Sequence, residues 1–147
     1  MKRFALLVLL LAFGFSISAC SQSESSVSPT DVLAVEDQTS LLAALQDAGA
    51  TAEVVDSVDQ IFFSPQGSII TVNGADVQVF EYESTEAMET ESAQVSPDGG
   101  SIGTSMVTWV DMPHFYKTGR IIVLYVGSDA ATLNLLEKVI GPQFAGR

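Results

Sequence analysis

Residues 68–82 read SIITVNGADVQVFEY, and this stretch decides the fold. Two runs rich in β-branched and aromatic residues flank the pair Asn73-Gly74. An Asn-Gly pair tolerates the positive φ angles of a type I′ turn, so the pattern predicts a hairpin with strands at 68–72 and 75–82. Side chains alternate along a strand and are expected in two sets on opposite faces: Val77 and Val79 in one, and Gln78, Phe80 and Tyr82 in the other.

Residues 121–126 read IIVLYV and predict a strand of a different kind. The run has no charged or amide side chain on either face, which is typical of a central strand that is covered on both sides. Around it we predict a partner strand at 104–110, joined to it by a long connection at 111–119, and a further strand at 52–58. The sequence therefore predicts about five strands.

Three helices are predicted between and beside these strands. The residues expected to cap them are Asp37 or Thr39 for the first, Ser84 for the second, and Ser128 or Asp129 for the third. The helices are expected to end at Gly49, near Val95, and at Gly141-Pro142. The predicted fold class is α+β: an antiparallel sheet of about five strands with helices mainly on one face, in the order α-β-ββ-α-ββ-α.

The amino terminus has the pattern of an export signal. Two basic residues, Lys2 and Arg3, precede an apolar run at 4–15. Such a run reaches about 18 Å as a helix, which is short of the ~30 Å hydrocarbon core of a bilayer. We therefore interpret residues 1–19 as a signal peptide rather than as a permanent membrane span.

The residues that follow are Ile17-Ser18-Ala19-Cys20, and they resemble the lipobox of bacterial lipoproteins. The resemblance implies cleavage before Cys20 and lipidation of its thiol, so that the lipid anchors the chain to a membrane on the extracytoplasmic side of the cell envelope. Ser21, in place of an Asp, favours the outer membrane if the cell has two membranes. Residues 20–36 are Ser-rich and predict a lipidated flexible linker, and residues 37–147 predict a single domain.

The charge of the chain limits its partners. The formal net charge is −12, and removal of Lys2 and Arg3 with the signal leaves 4 basic against 18 acidic residues, a net charge of −14. A field of this sign repels phosphate backbones, so nucleic acid is excluded as an expected partner. Cys20 is the one cysteine, so the mature domain cannot form an internal disulfide.

Few residues of this chain could carry catalysis or bind a metal. His114 is the one histidine, no Gly-x-Ser-x-Gly motif accompanies it, and we predict no catalytic residue. One His without a usable Cys does not meet the common zinc patterns, and the acidic residues lack the spacing of a calcium loop. We therefore expect neither a metal site nor a cofactor.

Aromatic residues gather around the predicted connection at 111–119. The candidate binding residues are Trp109, His114, Phe115 and Tyr116. The connection is longer than a simple hairpin needs, and loops between rigid strands often carry recognition residues. Two interpretations remain open: an exposed aromatic patch for a ligand or partner, or a lid in which Phe115 and Tyr116 fold back onto the sheet.

The stretch from Leu41 to the C-terminus also resembles a group of small bacterial lipoproteins without an established activity. The residues that carry the resemblance are 76–82, 109–110, 113–116 and 119–127. It implies a location in the cell envelope and supplies no functional residues. The function that we predict is non-enzymatic binding of an envelope protein or small ligand. The alternatives are an envelope hydrolase that uses His114, or a structural subunit of an envelope complex.

Overall fold

The structure, a computed structural model, describes residues 34–147. The predicted signal peptide, Cys20 and the linker up to residue 33 lie outside the described residues. The helices are α1 (Gln38–Asp47), α2 (Thr85–Ser92) and α3 (Ala130–Ile140). The strands are β1 (Ala52–Val58), β2 (Gly67–Val72), β3 (Ala75–Glu81), β4 (Ser101–Ile102), β5 (Ser105–Met106), β6 (Pro113–Thr118), β7 (Ile121–Val126) and β8 (Ala145–Gly146).

The described residues form an α+β fold around one antiparallel sheet, as predicted. Its strand order is β1-β2-β3-β7-β6-β8, and β4 and β5 pair separately as a small hairpin. The main sheet has six strands in this part of the chain, somewhat more than the five expected. Two strands of this sheet, β6 and β8, were not predicted, and the two-residue β8 is too short to leave a periodic signal in the sequence.

The Asn-Gly hairpin forms as predicted. Asn73 has φ 51° and Gly74 has φ 88°, and Val72 pairs directly with Ala75 across the turn. Positive φ at both central residues is the type I′ geometry, whose twist matches that of the flanking strands. This turn fixes the register between β2 and β3, and so decides which side chains each face of the sheet receives.

The β7 strand lies between β3 and β6, and both of its faces are covered. One face packs against α1 and α3 in a cluster that includes Leu41, Leu45 and Leu136, here named the α1/α3 core. The other face packs against α2 and the loops in a cluster that includes Phe63, Phe80 and Met88, here named the α2 core. Two of the three helices therefore share one face, which confirms the predicted arrangement.

The predicted strand at 104–110 and the predicted connection at 111–119 are wrong. Only Ser105–Met106 of the first segment is a strand, whereas most of the supposed connection is the strand β6. Its link to β7 is the two-residue turn Gly119-Arg120, with Thr118 paired to Ile121. Pro113 is compatible with this strand, because proline is tolerated as the first residue of a strand, where it lies here.

The helices begin at three of the predicted caps. The side chains of Asp37, Ser84 and Asp129 accept backbone N–H groups three residues further on. The α2 helix ends at Ser92, before the predicted end near Val95, because Val95 leaves the helix to pair with Ile102.

The first described residues are tied to the β6–β7 turn. Val35 is buried in the α1/α3 core, and its carbonyl accepts the Thr118 hydroxyl. The Arg120 N–H donates to the Glu36 carbonyl at 2.9 Å. The packed domain thus includes Val35 and Glu36, which lie within the range predicted as linker. Within residues 34–147, no helix is long and apolar enough to cross a membrane.

Candidate functional site

Phe115 and Tyr116 are core residues. Phe115 is fully buried in the α2 core, and Tyr116 is 3% exposed in the α1/α3 core. They reach opposite faces because they are neighbours on β6, which β7 and β8 flank. The prediction that these two rings form part of an exposed patch is therefore wrong. The alternative of a folded-back lid is also wrong in detail, since the rings belong to a strand of the sheet and not to a loop that covers it.

The phenol of Tyr116 is poorly solvated and faces negative charge. Burial raises the pKa of Tyr116, and the nearby Glu137 carboxylate raises it further. Both effects disfavour the phenolate, so Tyr116 stays protonated at neutral pH. This side chain is a neutral part of the packing between β6 and α3.

His114 is buried beside α3. It is 5% exposed, its ring stacks on Tyr125 at 6.1 Å between centroids, and its Nδ1 lies 2.8 Å from Oε1 of Gln143. An amide oxygen can only accept, so Nδ1 is the donor of this hydrogen bond. Among the described residues, no hydrogen-bond partner is found for Nε2. A hydrolytic His would need a hydroxyl and a carboxylate as partners, and neither is hydrogen-bonded to it here.

Trp109 is held rigidly at the edge of the α2 core. Its Nε1 donates to the Gly99 carbonyl at 2.7 Å. Its ring meets Phe115 edge-on at 5.8 Å and Phe62 edge-on at 5.9 Å. The indole remains partly exposed in a segment that lies between β5 and β6 and belongs to no strand.

The exposed part of Trp109 lines a cleft of about 420 Å³, here named the Trp109 cleft. Its principal lining residues are the apolar Val107, Trp109, Met112 and Pro113, together with the charged Asp98, Asp111 and Arg147. Apolar walls with a few charged groups are the usual composition of a binding cleft.

Exposed apolar side chains occur in the same chain segment as the cleft, where Met112 lines it and Met106 and Val110 each adjoin a lining residue. Met106 is 92% exposed, Val110 is 99% exposed and Met112 is 51% exposed. Single exposed apolar residues are normal on a protein surface, but three within seven positions, beside a half-buried tryptophan, form a local patch. None of these three residues was predicted as a binding residue, because Met106 and Val110 fall in the predicted strand at 104–110 and the predicted candidates of the connection at 111–119 were its aromatic residues and His114.

The charges at the cleft are fixed by local contacts. The Gly100 N–H, the Ser96 hydroxyl and the Arg147 guanidinium lower the pKa of Asp98 to about 2. Arg147 lies 3.3 Å from the Asp98 carboxylate. Asp111 accepts the Met112 N–H at 2.8 Å. The acidic residues of the cleft are thus Asp98 and Asp111, and the guanidinium of Arg147 is paired with Asp98.

The cleft and the first described residues lie at opposite ends of β6. Pro113, the first residue of this strand, lines the cleft. Thr118, the last residue, binds the Val35 carbonyl. The rise of a strand separates these two residues by about 17 Å. A membrane anchor that precedes residue 34 would therefore join the domain at the end of the sheet away from the cleft.

Two further findings concern metal ligands and similarity to known proteins. Within residues 34–147, no three His, Cys, Asp or Glu side chains converge as metal ligands do. Comparison of the chain with known protein families, curated proteins and solved structures gives no match. The residues themselves must therefore carry any functional argument.

Proposed function

We propose that this chain is an extracytoplasmic lipoprotein, anchored in a membrane of the cell envelope by lipid on Cys20, and that its domain acts by non-enzymatic binding at the Trp109 cleft. The observation that carries the binding role is the occurrence of three exposed apolar residues, Met106, Val110 and Met112, in the chain segment that contributes Trp109 to the cleft. When a partner covers exposed apolar area of this kind, the free energy of the system falls, which favours binding.

The anchoring role is supported by the sequence Ile17-Ser18-Ala19-Cys20 at the end of an export signal. We expect Cys20→Ala to abolish incorporation of labelled fatty acid and to block processing of the signal, because the lipid acceptor is lost. Ser21→Ala, next to it, should leave both unchanged. Labelled fatty acid on the Cys20→Ala chain would contradict the anchor.

The binding role can be tested in cells with a photo-crosslinking amino acid placed at single positions. We expect position 110 to give a crosslinked adduct, because Val110 is 99% exposed and lies in the chain between the cleft-lining residues Trp109 and Asp111. Position 55 is the matched control, since Val55 is half-exposed on β1, the strand at the other edge of the sheet. Equal crosslinking at both positions, or none at position 110, would contradict binding at this cleft.

The hydrolase alternative receives no support from the contacts of His114, whose ring is held by Gln143 and Tyr125. A role as structural subunit of an envelope complex would use the same exposed patch as its contact surface. A stoichiometric adduct at position 110 would favour that role, whereas a substoichiometric adduct would favour exchange of a bound partner.

A further inference from the structure

The Trp109 cleft combines an indole ring held by several contacts with flexible methionine side chains in the same segment. The indole is fixed by its hydrogen bond to the Gly99 carbonyl and by two aromatic neighbours. Met112 lines the cleft and the exposed Met106 precedes the lining residue Val107, and the thioether chain of methionine is flexible enough to adjust to the shape of an apolar partner. A fixed aromatic anchor contributes binding energy at a low cost in conformational entropy.

Within residues 34–147, part of the backbone beside the cleft has no hydrogen-bond partner. Residues 107–112 lie between β5 and β6 and belong to no helix or strand. This segment is attached at its two ends, where the Val107 N–H donates to the Gly100 carbonyl and the Met112 carbonyl accepts the Gly127 N–H. For the amides of Thr108, Trp109 and Val110, no partner is found within the described part of the chain. Exposed main-chain groups of this kind can pair with an extended peptide.

The negative charge of the surface favours a positively charged partner in the cleft. Asp98 and Asp111 flank the cleft, and its one cation, Arg147, is already paired with Asp98. The chain without its signal peptide carries 4 basic against 18 acidic residues, so the long-range field has the same sign as the cleft. Such a field attracts a basic partner and repels an acidic one.

We infer that the Trp109 cleft binds an extended, basic segment of an extracytoplasmic partner protein, with apolar side chains that cover Met106, Val110 and Met112. This inference rests on the proposed binding role and adds the chemistry of the partner to it. The position of the cleft, at the end of β6 away from Val35, leaves it open to a partner that approaches from outside the anchoring membrane.

Trp109 is the one tryptophan of the chain, so its fluorescence reports on the cleft without labelling. The full-length acylated protein in a non-ionic detergent is titrated with short synthetic peptides of three kinds: alternating Lys and Leu, alternating Glu and Leu, and alternating Lys and Ser. We expect the Lys/Leu peptide to change the emission of Trp109 saturably, and to bind at least about tenfold more tightly than either of the others. High salt should weaken this binding, because part of it is electrostatic.

The chain offers a closely matched pair of variants. Val110-Asp111 at the cleft and Val55-Asp56 on β1 have the same two side chains, all four residues are exposed, and each Asp accepts the N–H of the next residue. We expect V110S/D111K to weaken binding of the Lys/Leu peptide at least about tenfold, because apolar contact and charge attraction are both lost. V55S/D56K should change it less than about twofold, although its net charge changes by the same amount.

Each other result would overturn the inference in a distinguishable way. Equal binding of the Glu/Leu peptide would contradict the basic partner, and equal binding of the Lys/Ser peptide would contradict the apolar contact. Equal losses in the two double variants would show that net charge alone attracts the peptide. A Trp109 signal that depends on the protein's own concentration, without peptide, would identify a second copy as the occupant. An adduct at position 110 together with a failed peptide titration would retain the proposed function and reject this inference.

Discussion

The adjacent side chains of Phe115 and Tyr116 connect one strand to both cores. Phe115 contacts the rings of Trp109 and Phe144, at centroid distances of 5.8 Å and 6.1 Å. Tyr116 packs on the other face among residues that contact α1 and α3. Because the Phe115 ring packs against the Trp109 ring, this one side chain links the stability of the α2 core to the shape of the Trp109 cleft.

We expect Phe115→Ala to lower the free energy of unfolding by about 3–5 kcal/mol, because it leaves a cavity among fully buried neighbours. The measurement is urea denaturation followed by far-UV circular dichroism. Val110→Ala is the control, and should stay within about 0.5 kcal/mol because that side chain is 99% exposed. A loss below about 1 kcal/mol for Phe115→Ala would mean that the ring is not packed as described.

Among the elements, α3 depends on a charged cap. The Asp129 carboxylate accepts the Thr132 N–H and the Thr132 hydroxyl, both at 2.8 Å. These bonds lower the pKa of Asp129 below its ordinary value of 3.8. A group whose pKa is lower in the folded state contributes stability that is complete above its unfolded pKa and is lost as the pH falls through the folded pKa.

We therefore expect the gap in Tm between the native chain and Asp129→Ala to be constant near neutral pH and to shrink as the pH falls below 3.8. Thermal scans of both chains across this range measure the gap. Asp129→Asn is the control, because its amide oxygen caps the helix without titrating, so its gap from Asp129→Ala should not change with pH. A Tm difference between the native chain and Asp129→Ala that widens as the pH falls would contradict this prediction.

The β6–β7 turn depends on a glycine. Gly119 has φ 51°, and a Cβ at this position would overlap the backbone of Glu36. Gly49 also has a positive φ, 92°, but nothing lies within 4 Å of the corresponding Cβ position. The two glycines therefore separate the cost of backbone conformation from the cost of a clash.

We expect Gly49→Ala to lower the free energy of unfolding by about 1–2 kcal/mol, from the backbone conformation alone. Gly119→Ala should cost more, because Val35 and Glu36 must also move away from the turn. Limited proteolysis near residue 36, measured with urea denaturation, should detect that movement in Gly119→Ala and not in Gly49→Ala. Equal costs and equal proteolysis would show that the first described residues do not pack tightly on this turn.

The sequence predicts elements well where local chemistry decides them, and poorly where distant contacts do. Asn73-Gly74 and the three caps are local, and the structure confirms them. Residues 104–110 have strand-forming composition, yet most of them find no strand to pair with, whereas β6 pairs with β7 on one side and β8 on the other. The part of the Trp109 cleft formed by residues 107–112 was not predicted for the same reason. These residues are exposed because no neighbouring strand pairs with them.

Over the whole molecule, the two cores share the same sheet. Successive residues of β7 alternate between them, so that Val123 packs in the α1/α3 core and Leu124 in the α2 core. The β3 strand divides its side chains in the same way, with Val79 in one core and Phe80 in the other. Loss of packing on one face must therefore loosen strands on which the other face depends.

A variant in the α1/α3 core can test whether the two cores unfold as one unit. Leu136 is fully buried in the α1/α3 core, and Leu136→Ala should lower the free energy of unfolding by about 2–5 kcal/mol. Trp109 packs against the α2 core on the opposite face, so its fluorescence reports the other side of the sheet. Because β3 and β7 serve both cores, we expect the urea midpoints from Trp109 fluorescence and from far-UV circular dichroism to fall together.

Asn134→Ala is the control for this prediction, because Asn134 is exposed on the same helix and its removal takes nothing from the core. Both of its midpoints should stay close to those of the native chain. If Leu136→Ala lowers the midpoint from circular dichroism while the Trp109 midpoint stays in place, the α2 core is stable without the α1/α3 core. The cavity left by Leu136→Ala beneath α3 would then leave the Trp109 cleft intact. In a single cooperative unit, the same cavity must also destabilise the cleft on the opposite face of the sheet.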